Sequence, residues 1–595
     1  MQVLDESRTH ALPLVRLAVG AFDFARTLIL FLSFFLYSAG AVFAQTDGFR
    51  TGEDRVHPVL GRSGMVATQE AHATRVGLDI LQRGGNAVDA AVAVGFALAA
   101  TLPRAGNLGG GGFMMIYDAK NGRTVAIDYR ETAPAAATRD MYLDTAGNVD
   151  KQAFRFSHKA IGIPGTVAGL TLALRKYGTM ALKDVMAPAL RLAGDGFLVS
   201  DDMARQLDRR QKRLAQSEAT RKIFFADDDT PLKAGDRLVQ RDLWQSLKAI
   251  SEKGPYAFYR GTIAKRIVAE MKANDGVMTL EDLAGYAPVE REAVRGTYRG
   301  YEIQSMPPPS SGGIHIVQIL NMLEAYDLAS MGHNSAGGLH LMAEAMKRAY
   351  ADRSKHLGDP GYWKVPVTGL VSKEYAAVLR RGIDPKMATP STEILPGDPA
   401  PYEGPNTTHY TVMDRFGNTV SNTYTLNFSY GTGIVAAGTG ILLNNEMGDF
   451  SAKPGVPNAY GLIGGDANAV GGGKRPLSSM SPTIVLKDGK VLLATGSPGG
   501  SRIITTVLQL LINVIDHKMN IAEATHAPRV HHQWLPDTLR IEEGLSPDTQ
   551  RLLGAMGHTL KQGRPMGSLQ SIMRVEGLLY GASDPRRPDA LTLGY

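Results

Sequence analysis

The stretch "NAVDAAVAVGFALAATL" (86–102) most strongly limits what this chain can fold into. It begins with Asn86, a residue type that caps helix N-termini, and it carries Asp89 three positions later. The rest is apolar or small on every side of a helix, so no face suits water. A helix of about sixteen small residues is short for crossing a bilayer. We therefore predict a helix that is buried between other layers of the fold.

The N-terminus has the layout of a secretory signal. Three arginines precede the apolar run 27–37, and small residues follow in "SAGAVFAQ". Val42 and Ala44 then occupy the positions that a signal peptidase reads. A retained membrane anchor is the alternative, but the run ends in small residues rather than a charged flank. We expect residues 1–44 to be a signal peptide, with export to the periplasm or secretion and no stable membrane span after cleavage.

Composition excludes several classes of function. The chain has no cysteine, which rules out disulfides, thiolate metal sites and cysteine nucleophiles. Its formal net charge is +6, and the most basic stretch, "LDRRQKRL" (207–214), is typical of the solvated face of a helix. The histidines of "HHQW" (531–534) are adjacent rather than spaced as zinc ligands on a helix. We expect no nucleic-acid partner, no metal and no cofactor.

Strand pairs alternate with helical segments along the chain. "FMMIYD" and "TVAIDYR" form one predicted pair, and "PTIVLKDGKVLLATGS" folds into another at its Asp-Gly turn. Helical patterns flank both pairs, which favours stacked helix, sheet, sheet and helix layers. The segment 382–406 is rich in Pro, Thr and Gly, and we expect it to be exposed and mobile.

A third strand pair lies in "TTHYTVMDRFGNTVSNTYTLN". Its turn (414–418) is symmetric, and the pairing, extended outward, sets Thr407 opposite Thr425. Alternation along the strand would place Asn427 on the same face as Thr425. Because Thr-rich ladders also suit ordinary sheets, the hairpin alone leaves both a structural and a catalytic interpretation open.

Several long motifs occur together and in order. They are "GGNAVDAAVA", "GNLGGGGF", "DYRETAP", "PNTTHYTV", "LLNNEMGDFSAKPGVPN", "KRPLSSMSPTIV" and "GSPGGSRIITTVLQ". In this combination the chain resembles the gamma-glutamyltranspeptidases of the N-terminal-nucleophile hydrolase superfamily, over nearly all of the mature sequence. The resemblance implies an α+β fold, a four-layer αββα sandwich.

The resemblance also implies self-cleavage between Asn406 and Thr407. The Thr407 hydroxyl would attack the preceding carbonyl, and water would release a large subunit (45–406) and a small subunit (407–595) that together form one αββα domain. An α-amine has a reference pKa of about 7.7–8.0, so the new N-terminus can act as the base for its own hydroxyl. Thr425 would be the hydrogen-bond partner of that hydroxyl.

Other positions match the family's binding residues. Those that match its carboxylate-binding positions are Arg130, Ser478 and Ser479. Those that match the positions around the substrate ammonium are Asn427, Glu446 and Asp449. Those that match the oxyanion hole are Gly499 and Gly500, where glycine lets backbone N–H groups approach the charge. Tyr460, in the loop 454–465, matches the lid of the subfamily that has one.

Two positions depart from the family pattern. Gly448 stands where an acid is frequent, and Thr411 stands where Ser is common. Neither change removes a residue with an assigned role, but the glycine would alter the flexibility of Asp449.

The expected activity is cleavage of glutathione and other γ-glutamyl compounds through a γ-glutamyl ester of Thr407. Water, an amino acid or a dipeptide would accept the acyl group. A glutaryl-type cephalosporin acylase of the same fold is the nearest alternative, but its substrate lacks an ammonium, which would leave Glu446 and Asp449 poorly compensated. A non-catalytic exported protein that binds amino acids or peptides is the third hypothesis, and it would not need Thr407.

Overall fold

The computed structural model of the protein describes residues 55–399 and 408–595, with Thr408 described by its backbone. The expected signal peptide and the junction Asn406-Thr407 lie outside the described residues. Their assignments therefore stay predictions.

The α-helices of the described residues are numbered in chain order. They are α1 (Ala71–Gln82), α2 (Ala87–Thr101), α3 (Lys151–Phe156), α4 (Thr166–Tyr177), α5 (Leu182–Gly194), α6 (Asp201–Leu214), α7 (Glu218–Phe224), α8 (Arg241–Lys253), α9 (Pro255–Tyr259), α10 (Thr262–Ala273), α11 (Leu280–Gly285), α12 (Gly312–Leu323), α13 (Leu328–Met331), α14 (Ala336–His356), α15 (Val367–Leu370), α16 (Lys373–Arg380), α17 (Arg502–Ile515), α18 (Ile521–His526) and α19 (Pro547–Ala555). Within these parts of the chain, none is both long and apolar enough to cross a bilayer.

The all-apolar stretch forms α2, as predicted. The Asn86 side chain accepts hydrogen bonds from the N–H groups of Val88 and Asp89, and the Asp89 carboxylate accepts one from the Asn86 N–H at 2.8 Å. Every residue of the helix is buried. The capping box fixes where the helix begins, and the absence of a polar face fixes its place in the interior.

The strands of the described residues are β1 (Val59–Gly61), β2 (Gly64–Thr68), β3 (Gly111–Asp118), β4 (Arg123–Tyr129), β5 (Phe197–Leu198), β6 (Arg237–Leu238), β7 (Val289–Arg291), β8 (Val294–Tyr298), β9 (Tyr301–Ser305), β10 (Thr408–Asp414), β11 (Thr419–Thr425), β12 (Val435–Ala436), β13 (Ile441–Leu442), β14 (Thr483–Lys487), β15 (Lys490–Thr495), β16 (Val530–His531), β17 (Leu539–Ile541), β18 (Leu560–Gln562), β19 (Gln570–Val575), β20 (Leu578–Ser583) and β21 (Leu591–Gly594). Two seven-stranded sheets dominate. The first has the order β21-β2-β10-β11-β3-β4-β7, and the second β1-β20-β19-β15-β14-β9-β8.

Alternate side chains of the first sheet enter two different cores. Val66 and Val412 pack with α2 on one face. Met65 and Met413 pack against the second sheet on the other face. The outer face of the second sheet is covered by α12 and α18, with α17 packed on both helices. The architecture is therefore the predicted four-layer αββα sandwich.

The segment 382–399 lacks regular structure and is exposed over much of its length, as predicted. It is nevertheless anchored at several points. The Gly397 N–H donates to Asp352 at 2.7 Å, and the Gly397 carbonyl accepts from His356 Nε2 at 2.9 Å. The Trp534 indole N–H donates to the Ser391 carbonyl at 2.9 Å. Composition gave no indication of these anchors, because distant side chains provide them.

Candidate active site

The hairpin β10–β11 lies at the centre of the first sheet. Its register runs from Met413 opposite Thr419 to Thr408 opposite Tyr424, as the symmetric turn predicts. Thr407 lies outside the described residues. Continued by one residue, the same register sets Thr407 opposite Thr425, so this pair stays a prediction.

The end of β11 is held firmly. Asn107 Nδ2 donates to the Thr425 carbonyl at 2.8 Å, and the Thr425 hydroxyl oxygen accepts the Asn427 N–H at 2.8 Å. Asn427 has φ +69°, a left-handed conformation that asparagine tolerates better than most residues. The strand therefore ends at Thr425. Strand alternation does not extend as far as Asn427, so its placement on the face of Thr425 stays a prediction.

The Asn427 side chain joins the hairpin to the predicted lid. Its Nδ2 donates to the Asn445 carbonyl at 3.0 Å, and its Oδ1 accepts from the Tyr460 hydroxyl at 2.9 Å. The Tyr460 ring meets Phe428 edge-on, with centroids 5.6 Å apart. Burial, together with the charges of Asp449 and Glu446, raises the pKa of Tyr460 well above its usual value, so the hydroxyl remains a donor. The loop 454–465 therefore contacts Asn427 through Tyr460, and its role as a lid stays a prediction.

Arg130 follows the end of β4 and is fully buried. Its Nε donates to the Pro476 carbonyl at 3.0 Å, and one terminal nitrogen donates to the Leu477 carbonyl at 3.1 Å. The same nitrogen donates to Asp449 Oδ2 at 2.7 Å, while the other bonds Glu446 Oε1. The resemblance assigns Arg130 to the α-carboxylate of a substrate and the two acids to its α-ammonium. The structure brings these three residues into direct contact.

Acids outnumber cations at this point. Glu131 adds a third fully buried carboxylate, 3.8 Å from the Arg130 guanidinium. Burial raises the pKa of Glu131 to about 7, and it raises the pKa of Glu446 and of Asp449, while Arg130 opposes each shift. Burial also acts to lower the pKa of Arg130, but the carboxylates outweigh it and raise that pKa. The cluster therefore holds a permanent positive charge among acids that are short of positive partners.

Several buried polar atoms of the predicted binding residues and of Glu131 have no hydrogen-bond partner among the residues that the structure describes. They are Ser479 Oγ, Glu446 Oε2, Asp449 Oδ1 and both carboxylate oxygens of Glu131. The neighbouring Ser478 Oγ accepts the Met480 N–H at 3.2 Å, which leaves its own O–H group to donate. Buried polar groups in folded proteins are nearly always paired. Unpaired donors and acceptors on a fixed frame are the features expected of a site built for a polar ligand.

Gly499 and Gly500 lie immediately before α17. Their φ angles are +140° and +69°, in the region that favours glycine, and they precede a helix N-terminus whose N–H groups have no partner within the helix. Gln533 connects this end of α17 to the lid. Ser501 Oγ donates to Gln533 Oε1 at 2.8 Å, and Gln533 Nε2 donates to the Tyr460 carbonyl at 3.1 Å. The two glycines therefore stand beside the lid.

His409 is a buried residue of the hairpin to which our sequence reasoning gave no role. Its Nδ1 lies 2.8 Å from Thr423 Oγ1, and its Nε2 lies 2.9 Å from Thr411 Oγ1. Because Thr411 donates its own proton to the Gln570 carbonyl at 2.8 Å, His409 Nε2 must be the donor in this pair. Burial lowers the pKa of His409 to about 3. His409 is therefore a neutral structural residue, unsuited to be a general base, and Thr411 holds it in place.

Sequence reasoning also missed Glu131 and Gln533. Glu131 follows Arg130 in "DYRETAP", so its position in a matched motif was an available signal. Gln533 lies inside "HHQW", which we had considered only for metal binding. His531 there contacts Thr505 Oγ1 at 2.9 Å. Across residues 55–399 and 408–595, no three potential ligands are grouped to hold a metal ion.

Comparisons with known proteins agree with this geometry. Residues 73–593 match the family model described as Gamma-glutamyltranspeptidase. The glutathione hydrolase proenzyme of Escherichia coli (strain K12) is 59% identical over 559 residues, which cover 94% of this chain and 96% of that protein. A solved cephalosporin acylase from Bacillus halodurans has a TM-score of 0.82 at 27% identity and covers 92% of this chain and 98% of its own. A solved Helicobacter pylori gamma-glutamyltranspeptidase has a TM-score of 0.55 at 43% identity, over 58% of this chain and 97% of its own. With a family model that spans most of its length, this chain belongs to the gamma-glutamyltranspeptidase family.

Proposed function

We propose that the protein cleaves the γ-glutamyl amide bond of glutathione and related compounds and transfers the γ-glutamyl group to water, an amino acid or a dipeptide. The observation that carries this proposal is the Arg130 cluster, with its unpaired buried polar atoms. A γ-glutamyl group presents an α-carboxylate and an α-ammonium at one end. The cluster offers one arginine and several acids, which is the complementary set.

When the substrate binds, the charged side chains of the cluster gain the charged groups of the substrate as new partners, so no charge is left unpaired. The substrate α-carboxylate binds Arg130 and accepts hydrogen bonds from the hydroxyls of Ser478 and Ser479. The substrate α-ammonium donates hydrogen bonds to the carboxylates of Glu446 and Asp449 and to the side-chain oxygen of Asn427. Each buried charge then faces an opposite charge, so the cost of desolvating the zwitterion is offset inside the site.

Thr407 is the proposed nucleophile. Self-cleavage after Asn406 frees its α-amine, which takes the proton of its own hydroxyl, and the oxygen attacks the γ-carbonyl. The amide C–N bond then breaks, the leaving amine takes that proton from the α-ammonium, and a γ-glutamyl ester of Thr407 remains. Thr425, opposite it in the extended register, orients the hydroxyl. The N–H groups at Gly499 and Gly500 stabilise the negative charge that develops on the carbonyl oxygen. The neutral state of His409 supports a mechanism whose base lies elsewhere.

The proposed function also requires export and cleavage of the precursor. Residues 1–44 direct export to the periplasm, and cleavage yields subunits 45–406 and 407–595 of one αββα domain. The loop 454–465 supports sequestration of the ester, because Tyr460 contacts Asn427 directly. Water or an acceptor amine then reaches the ester from the open side.

Two other functions fit less well. A glutaryl-type acylase shares the fold, but its substrate would leave Glu446 and Asp449 without a cation. A binding protein would use the same pocket without Thr407.

The test is a comparison of γ-glutamyl-p-nitroanilide and glutaryl-p-nitroanilide as donors. We expect kcat/KM to favour the γ-glutamyl donor by at least about a hundredfold, because the missing ammonium leaves buried acids unpaired. The Thr407→Ala variant should neither mature nor turn over either donor. Preference for the glutaryl donor would overturn the assignment, and full activity of Thr407→Ala would overturn the mechanism.

A further inference from the structure

The most basic stretch of the chain lies near the site and has no part in the function described so far. It forms the second half of α6. Leu207 and Leu214 are fully buried there, whereas Arg209 and Lys212 are exposed, as the sequence predicted. Arg210 and Arg213 are half-buried, and the Nε atom of Arg213 is fully buried.

Arg213 is connected to the lid by a wall of aromatic rings. Its guanidinium lies over the Phe156 ring, 5.1 Å from the centroid. Phe156 packs against Phe428 at 5.7 Å, and Phe428 packs against Tyr460 at 5.6 Å. Arg213 also donates to the Ser429 carbonyl. The wall therefore extends from the closed pocket to the solvent-exposed cations.

The positive charge of this stretch is not compensated. Nearby cations such as Arg205 and Lys222 pair with acids on their own helices. In the part of the chain that the structure describes, no ion pair includes Arg209, Arg210, Lys212 or Arg213. Arg213 Nε is buried and has no hydrogen-bond partner among the described residues. Burial, with Arg210 nearby, lowers the pKa of Arg213 to about 10. An anion at this place would supply the missing partner.

A cleft opens at these cations. Its volume is about 450 Å³, and Phe156, Arg209, Arg210, Lys212 and Arg213 contribute to its lining, with Asp208 as the one acid. Because its lining carries four cationic side chains and one acidic side chain, the cleft favours an anionic ligand. The ring of Phe156 offers an apolar surface beside these cations.

The cleft is within reach of the leaving side of the reaction. Ser429, which Arg213 contacts, is four residues from Thr425, so about 14 Å separates their backbones at most. A dipeptide leaving group extends about 7 Å from the scissile nitrogen to its terminal carboxylate. The left-handed turn at Asn427 lies between Thr425 and Ser429, so the chain is not fully extended there and their separation is shorter than this limit.

We propose that Arg213, supported by Arg209, Arg210 and Lys212, binds the C-terminal carboxylate of the peptide on the leaving side of the γ-glutamyl bond, and the same carboxylate of a dipeptide acceptor. The aromatic wall of Phe156 and Phe428 contacts the peptide between that carboxylate and the scissile amide. This inference rests on the proposed function, since it assigns a second subsite of the same reaction.

The experiment compares three donors: glutathione, glutathione amidated at the glycine carboxyl, and γ-glutamyl-p-nitroanilide, which carries no carboxylate on its leaving group. For the wild type we expect amidation to lower kcat/KM by about tenfold, because a charge-assisted pair is lost. For Arg213→Gln we expect the ratio of kcat/KM for glutathione to that for the anilide to fall by about tenfold. The ratio of amidated glutathione to the anilide should stay constant. Arg210→Gln should show the same pattern with a smaller change.

Arg205→Gln is the matched control, since Arg205 lies on the same helix but pairs with Asp201 away from the cleft. It should leave all three donors unchanged. Equal turnover of glutathione and its amide by the wild type would overturn the inference. So would a loss in Arg213→Gln and Arg210→Gln that is the same for glutathione and its amide, since it would reduce these residues to structural supports. Failure of the wild type to turn over the anilide would instead contradict the proposed function itself.

Discussion

Two sites of buried acids, one at Asp352 and the other at Asp449 and Glu446, are similarly buried but differ in their hydrogen bonds. On α14, Asp352 accepts from the Gly397 N–H at 2.7 Å, from Gln318 Nε2 at 2.7 Å and from the Tyr375 hydroxyl at 2.9 Å. Both of its oxygens are paired. Beside Arg130, Asp449 Oδ1 and Glu446 Oε2 are equally buried, and within the described parts of the chain no N–H group or hydroxyl donates to either.

Burial does not distinguish the two groups, although Asp449 also forms an ion pair with Arg130. Burial raises the pKa of Asp352 to about 6, and it also raises the pKa of Asp449. The difference lies in hydrogen bonding. Asp352 uses its capacity to hold the segment 382–399, whereas Asp449 keeps part of its capacity for a ligand. Unpaired buried atoms are therefore the better indication of a binding site.

The largest expected effect comes from removing the arginine. Arg130→Gln should lower kcat/KM for γ-glutamyl-p-nitroanilide by about a thousandfold, since loss of one partner of a buried charge pair costs about 4 kcal/mol. Steady-state kinetics on the processed protein measure this. A loss of less than tenfold would mean that Arg130 does not hold the substrate carboxylate.

The next largest effect is expected in the pH dependence of the free energy of unfolding, which reports on the buried carboxyl of Glu131. Burial raises the folded pKa of Glu131 from 4.5 to about 7, so the folded chain binds this proton more tightly than the unfolded chain. The stability that Glu131 contributes is full below its unfolded pKa and is lost as pH rises through its folded pKa. The difference in free energy of unfolding between wild type and Glu131→Gln should therefore fall by up to about 3 kcal/mol between pH 4.5 and 7.

Denaturant unfolding at several pH values measures that difference. Glu292→Gln, at an exposed carboxylate, serves as control and should show almost no pH-dependent difference from wild type. A flat difference for Glu131→Gln would show that its carboxyl titrates normally.

The same chemical change in the two acid groups should give opposite results. Asp352→Asn sets an NH₂ group against hydrogen-bond donors and should therefore lower the free energy of unfolding by about 2 kcal/mol. The kcat/KM of the processed variant should stay within about twofold of wild type. Asp449→Asn should lower kcat/KM by about a hundredfold, because it removes one charge that would meet the ammonium. If both variants lose the same property, the distinction between paired and unpaired acids fails.

The smallest effect is expected at Gly448. A Cβ there would lie 3.2 Å from the Phe154 carbonyl oxygen and 3.5 Å from Asn427 Nδ2. Its neighbours need to shift by only a few tenths of an ångström, so Gly448→Ala should change kcat/KM by no more than about twofold. A tenfold loss would show that Asp449 depends on the glycine backbone for its position.

Local patterns made much of the fold predictable. The capping pair Asn86 and Asp89 marks the start of α2, and the symmetric turn fixes the register of β10 with β11, because both depend on neighbours in the sequence. The motifs of the family resemblance located Arg130, Glu446 and Asp449.

Other features depend on distant groups and were not predictable in this way. The left-handed turn at Asn427 is set by its bonds to Asn445 and Tyr460. The anchors of 382–399 come from α14 and Trp534, and Gln533 reaches the lid across the fold. Residue types alone also did not show that Arg130 would contact the acids themselves, since that contact depends on tertiary packing.

Intact mass spectrometry of the exported wild-type protein under denaturing conditions tests whether Thr407 becomes an N-terminal nucleophile. We expect two chains, one beginning near Gln45 and the other at Thr407, whereas Thr407→Ala should remain a single chain. A single uncut wild-type chain, under conditions that allow maturation, would contradict an N-terminal threonine nucleophile.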